Sequence, residues 1–371
     1  MKKLLYPVSL IVLCLMLSAW GSKGHKKINQ NMAACLPVQM SFLKPTWTNV
    51  VTYYASQADY RKNEDPNESP RHYIDIDNYP EFVQSGSILQ IYDSVLAKYG
   101  SPFVIDQGIL PWATLTTFDS LKNCFHREDW NKASLFAADL GHYVGDGHMP
   151  LHITRNYNGQ FTGQIDIHSR YETSLVAKFE SQILYPVDSA QYISNVGGYV
   201  FDYLYFDYKY VDSVLLADTY ARTVAGTTGT DAYYQALWGK SGNFTILMMR
   251  NASNALANLI YTAWVQAGSP TINSNAIEEP IGANQPRLMS VFPNPVAKSA
   301  YFQLVVPEND MPVSLSVYDS SGNLRDSVLN ERMAEGYHKI KWTPNDLSPG
   351  IYFCVLKTGL YTTTKKFVLV P

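Results

Sequence analysis

Charge is scarce in this chain, and cysteine scarcer. Only 16% of its 371 residues are charged and the formal net charge is −3. That leaves no excess of lysine and arginine from which a broad basic face for duplex DNA could be built. A local phosphate site stays open, because net charge says nothing about pockets. There are four cysteines. Cys14 falls inside the N-terminal apolar run, which leaves Cys35, Cys124 and Cys354 for a mature chain. An odd count is not a disulfide framework, so a Cys35–Cys124 bridge and buried free thiols are both open readings. No segment after Trp20 is apolar for long enough to read as a membrane span.

The opening MKKLLYPVSLIVLCLMLSAW has the pattern of a secretory signal peptide over residues 1–19. Lys2 and Lys3 form the positive region, Leu4 to Leu17 the uncharged apolar run, and Ser18-Ala19 the small-residue exit. The run is short for a membrane span, and IVLC lacks the small residue that precedes a lipidated cysteine. The expected product is an exported protein that starts at Trp20.

Strand signals are few between Trp20 and Gly268. The segments 131–146, 174–184 and 241–268 have helical periodicity, with Leu135, Ala138 and Tyr143 marking one apolar face of the first. The expected fold of residues 20–268 is mainly α. The proline-containing polar stretch 269–289 reads as a linker. Beyond it SAYFQLVV, VSLSVYDSSGNL, YHKIKWT, GIYFCVLKTG and KKFVLV are short β-rich runs separated by turn residues, as in a small all-β sandwich over 290–371.

Three of the eight histidines fall in GHYVGDGHMPLHITRN, residues 141–156. His142 and Asp146 are four apart and share one face of a helix. An imidazole and a carboxylate on adjacent turns can meet one zinc at bond lengths of about 2 Å. Met149-Pro150 ends the helix and lets His152 return to the same place. His168 and Glu172 repeat the four-residue spacing, His72 and Asp59 lie upstream, and His25 sits near the expected mature start. His126 has no such company and reads as structural or surface, as does His338 in the β-rich tail.

These motifs resemble two known groups. FPNP, VYDSSGNL, GIYF and KKFVLV, across residues 290–370, are similar to the C-terminal sorting domain of type IX secretion substrates. That implies export across the outer membrane and an interaction with the secretion machinery. HYVGDGHMPLHITRN resembles the signature of bacterial zinc-dependent phospholipase C and of the related trinuclear-zinc single-strand nucleases (the S-one/P-one type), over residues 20–267. Gly147 and Thr154 depart from the phospholipase signature at positions that hold no ligand. HSRYE and ADYRKN lean toward the phospholipase, WGSKGH toward the nuclease.

The resemblance implies three Zn2+ ions. One takes Asp59, His72, His142 and Asp146; a second takes His152, His168 and Glu172. The third takes His25, Asp146 as a bridge, and the α-amino nitrogen and carbonyl oxygen of Trp20. An α-amine gives up its proton to a metal easily, so assembly of the third site waits for signal cleavage. The same resemblance makes Asp59 the catalytic acid–base group, orienting or deprotonating the attacking water. Tyr60 is a substrate-contact candidate against a core reading, and Arg61 a phosphate contact against a solvated one. Asp75 is a candidate to orient the His72 ring, and His148 falls behind the site or at the surface. The tyrosine-rich run 197–216 reads as a core segment or as a lipid-facing lid.

The activity implied is hydrolysis of a phosphoric ester bond, with phospholipase C-type release of a phospholipid headgroup preferred. A single-strand nuclease or 3′-nucleotidase is the enzyme alternative. A non-catalytic zinc-stabilised surface adhesin is the alternative of another class.

Overall fold

The computed structural model describes residues 21–44, 46–62, 65–185, 188–271, 286–306, 309–334, 336–359 and 361–371. The chain divides into two compact units, residues 1–276 and 277–371. The expected signal peptide, Trp20 and most of the expected linker lie outside the described residues.

The first unit is helical. Its centre is the helix Trp130–Gly147, begun by the Asp129 side chain, which accepts the Lys132 backbone N–H at 3.2 Å. Residues 140–147 are buried on every side. Neighbours come this close because two glycines carry no Cβ. One on Gly141 would lie 2.1 Å from Asn29 Oδ1, and one on Gly145 would lie 2.9 Å from His25 Nδ1. The helices Gly21–Cys35, Leu110–His126 and Asp231–Gln266 pack around it. Ile28, Met32, Leu140, Val144, Leu256 and Ile260 fill the common core, each burial contributing about 1.5–3 kcal/mol. Leu135, expected on the inner face, is 45% exposed, while Ala137 and Ala138 face inward.

The other expected helices shift at their ends. The last begins at Asp231, ten residues before its apolar pattern starts, because the Thr230 side chain caps it through Tyr233 N. The segment expected as 174–184 begins at Ile167, after Asp166 takes a left-handed backbone, and passes through a π-helical stretch, Arg170–Leu175. π-helical turns often mark functional positions, and this one carries Glu172. The run 197–216 forms two helices, Val196–Tyr208 and Val211–Ala225. Val200, Phe201, Leu204 and Val214 are buried, which makes the run core.

The second unit has two antiparallel sheets. β1 (Arg287–Phe292), β2 (Ala300–Val306) and β5 (Gly336–Trp342) form one, in the order β1-β2-β5. β3 (Met311–Asp319), β4 (Leu324–Met333), β6 (Gly350–Thr358) and β7 (Tyr361–Leu369) form the other, in the order β4-β3-β6-β7. Alternate residues of β3 and β6 point inward, and Phe302, Trp342 and Phe367 meet in the core at ring separations of 5.3–5.9 Å. The expected mainly helical unit followed by an all-β sandwich is the architecture observed.

Cys35, Cys124 and Cys354 are all free and buried, so the Cys35–Cys124 bridge does not form. Cys35 Sγ instead contacts Asn254 Oδ1 at 3.1 Å. His126 is exposed at the end of its helix.

Candidate metal centre

His142 and Asp146 leave the central helix on consecutive turns, and both are fully buried. His142 Nε2 lies 3.4 Å from Asp146 Oδ2, 3.1 Å from His72 Nδ1 and 3.5 Å from Asp59 Oδ1. His72 Nδ1 lies 3.0 Å from Asp146 Oδ2. On the other side, His25 stacks on His142 with ring centroids 3.8 Å apart, and its Nε2 faces Asp146 Oδ1 across 3.4 Å. The two oxygens of Asp146 therefore face different histidines, the disposition a bridging carboxylate needs.

A second group is formed by His152, delivered by the turn after Met149-Pro150, and by His168 and Glu172 from the helical run 167–182. Glu172 Oε2 lies 3.3 Å from His152 Nε2 and 3.1 Å from His168 Nε2. The sequence-predicted histidines and carboxylates of the two groups come together in space. Trp20 is outside the described residues. Its neighbour Gly21 is packed so that a Cβ would meet Thr173 Cγ2 at 3.2 Å.

Hydrogen bonding orients the rings. His142 Nδ1 donates to Ala55 O at 2.8 Å, His152 Nδ1 to His72 O at 2.5 Å and His168 Nδ1 to Tyr157 O at 3.1 Å. With the proton held on Nδ1, the Nε2 lone pairs of all three rings face buried carboxylate oxygens. Acceptors facing acceptors out of water repel unless a cation or proton lies between them. Asp146 Oδ1, Asp59 Oδ2 and both nitrogens of His25 have no hydrogen-bond partner among the described residues. This donor set, imidazole nitrogen and carboxylate oxygen in groups of three or more, suits zinc.

The charges are strongly perturbed. Burial pushes the Asp59 carboxyl up, but His142 and Lys62 outweigh it and hold the group well below the usual carboxylate range. Asp146 is likewise held low, by His142 and His152 against its burial. Burial lowers His142, yet Asp146 and Asp59 raise it to about 9. His25 is lowered by burial and by His142.

Sequence reasoning missed Lys62 and Glu68. Lys62 Nζ lies 2.6 Å from Asp59 Oδ1. Arg61 is turned away and engaged by Glu68 and Asp139 at 3.2 and 3.0 Å. The carboxylate at His72 is Glu68, whose Oε1 is 3.4 Å from Nε2. The expected Asp75 is pushed up to about 7 by burial and by Asp77 and Asp106. The ESPRH spacing, a carboxylate four residues before His72, was the available signal.

Tyr60 is half-buried beside Asp59. His148 is buried, stacked on Tyr203 at 4.3 Å, with Nδ1 on Val144 O, behind the centre and outside both groups. Gly147 has a local reason for being glycine, since a Cβ would lie 2.7 Å from the Tyr203 ring. Thr154 donates to Asp77 Oδ2 at 2.7 Å.

Residues 290–370 match the family model of the secretion system C-terminal sorting domain. The tail carries the chain through the type IX system to the cell surface or the extracellular space, and its partner is that machinery. No curated protein matches the chain. Among solved structures, the alpha toxin of Clostridium absonum aligns at 11% identity over 95% of this chain and 98% of its own, with a TM-score of 0.43. The alpha-toxin of Clostridium perfringens avian strain SWCP aligns at 11% identity over the same shares, with a TM-score of 0.41. Neither superposition is close enough to bear on the site, whose reading rests on the side-chain geometry.

Proposed function

We propose that the helical unit is a zinc-dependent phosphodiesterase, with phospholipase C-type hydrolysis of phospholipid headgroups as its activity. The observation that carries the metal reading is the set of Nε2 lone pairs of His142, His152 and His168, each fixed by a backbone carbonyl behind it and aimed at a buried carboxylate. Asp59, His72, His142 and Asp146 would hold one ion, and His152, His168 and Glu172 a second. His25 and Asp146 would hold a third together with Trp20.

Zinc bound there supplies Lewis-acid stabilisation of phosphoryl oxygens and makes water nucleophilic near neutral pH. Asp59 stays ionised beside His142 and Lys62, so its Oδ2 is free to orient the attacking water and take its proton. The water oxygen joins phosphorus, the bond to the glycerol oxygen breaks, and a proton goes to that leaving oxygen. Lys62 adds a cation at the same edge for the phosphoryl charge. Tyr60 would contact the headgroup. HSRYE and ADYRKN favour the phospholipid. WGSKGH favours the second reading, a single-strand nuclease or 3′-nucleotidase, and His25 of that motif is buried against Asp146.

The test offers exported, zinc-loaded protein phosphatidylcholine vesicles and single-stranded RNA in parallel, with Asp59→Asn as control. Phosphocholine release that disappears in the control is the expected result. Nucleotide release alone would replace the phospholipase reading with the nuclease one. Hydrolysis of neither would refute the proposed substrate class, and a fold lost on chelation without any activity would favour the adhesin.

A further inference from the structure

His72 is turned the opposite way from the other rings of the centre. His142, His152 and His168 place Nδ1 on backbone carbonyls and aim Nε2 at carboxylates of the centre. His72 aims Nδ1 at the cluster, 3.0 Å from Asp146 and 3.1 Å from His142, so on the zinc reading, with Nδ1 as the ligand atom, its proton sits on Nε2. The group facing Nε2 is the Glu68 carboxylate, at 3.4 Å, close but short of a formed hydrogen bond.

We propose that Glu68 is a positioning residue, which takes the Nε2–H of His72 and so keeps the Nδ1 lone pair of that ring on the metal centre. The role rests on the zinc reading above. Glu68 lies across the imidazole from the cluster, so it acts through His72 and touches neither metal nor substrate.

The surroundings of Glu68 are built to hold it still. It is 5% exposed. Arg61 grips both oxygens, through Nε at 3.2 Å and Nη2 at 3.3 Å. The Tyr143 hydroxyl donates to Oε1, and Arg71 Nε in turn donates to that hydroxyl at 2.9 Å. Asp139 takes the remaining arm of Arg61 at 3.0 Å. Two arginines and two carboxylates thus balance one another in a partly buried cluster, which holds the Glu68 oxygen toward His72. Tyr143 comes from the same helix as His142 and Asp146, so this support and the ligands move as one body. Outer partners of this type are worth about ten- to a hundredfold in metal affinity.

The test measures zinc affinity of the full-length exported protein by competition with a chromophoric chelator. Imidazole tautomers are read from long-range proton–nitrogen spectra of the zinc-loaded protein. Glu68→Ala should weaken zinc binding about ten- to a hundredfold and convert His72 from a single Nε2–H form to a mixture. Glu68→Gln should recover much of the affinity and the single tautomer, because its amide oxygen accepts the same proton. Asp75→Asn should change neither readout. Glu68→Met, which keeps side-chain volume and removes only the acceptor, carries the test if Glu68→Ala does not fold. A folded Glu68→Ala or Glu68→Met protein with wild-type affinity and an unchanged His72 tautomer overturns the proposal. Wild-type protein that takes up no zinc overturns the zinc reading itself, and this role with it.

Discussion

Gly145 and His25 touch: a Cβ on Gly145 would stand 2.9 Å from His25 Nδ1. Alanine in a helix interior is normally favoured over glycine by about 1 kcal/mol. Here it would drive the His25 ring off Asp146, because helix backbone on one side and ring on the other cannot both stay.

Gly145→Ala should therefore reduce bound zinc by about one ion per chain, by the three-site assignment, and leave the helical circular dichroism unchanged. Elemental analysis of the dialysed protein reads the first and far-ultraviolet spectra the second. A full metal complement in this variant would remove His25 from the ligand set.

Lys62 and Arg61 are neighbours with separate tasks, and substitutions should tell them apart. Lys62→Met removes the cation beside Asp59 and should lower kcat/KM about a hundredfold with little loss of stability. Arg61→Met strips Glu68 and Asp139 of their shared partner and should cost about 3 kcal/mol of stability. Denaturant titration and steady-state rates on the two variants check the assignment, and it fails if their effects are interchanged.

Asp75 gives a pH dependence with a definite sign. Its carboxyl is pushed up to about 7 by burial and by Asp77 and Asp106, from 3.8 in an unfolded chain. Between these values the folded chain keeps a proton the unfolded chain has lost, so stability falls as pH rises through that window. Asp75→Asn removes the dependence. Its melting temperature should gain on that of the parent from about pH 4 to about pH 7 and hold the gain above, as paired thermal melts across that range would show. A constant difference at every pH would mean that Asp75 titrates normally.

Much of this protein is legible from one dimension. The four-residue spacing of His142 and Asp146, and of His168 and Glu172, needs only helical geometry to put each pair on one face. The break at Met149-Pro150 foretells the return of His152. The switch from helical to alternating periodicity near residue 290 reports the β unit, because side-chain period follows backbone type. Chain composition alone ruled out a disulfide framework.

What the tertiary structure decided is which groups meet across distance and which way each one points. Asp59, His72 and His25 come from three separate segments, and no spacing rule brings them to Asp146. Neighbouring residues diverged for the same reason. Lys62 turned to Asp59 while Arg61 turned to Glu68, because each side chain follows the direction of its own Cα–Cβ bond and the charges already waiting there. In the role proposed for it, Glu68 behind His72 selects that ring's tautomer, and Arg61 and Tyr143 hold Glu68. The sequence contains every one of these residues. Only packing fixes their orientation, since an imidazole has two nitrogens and its neighbours choose between them.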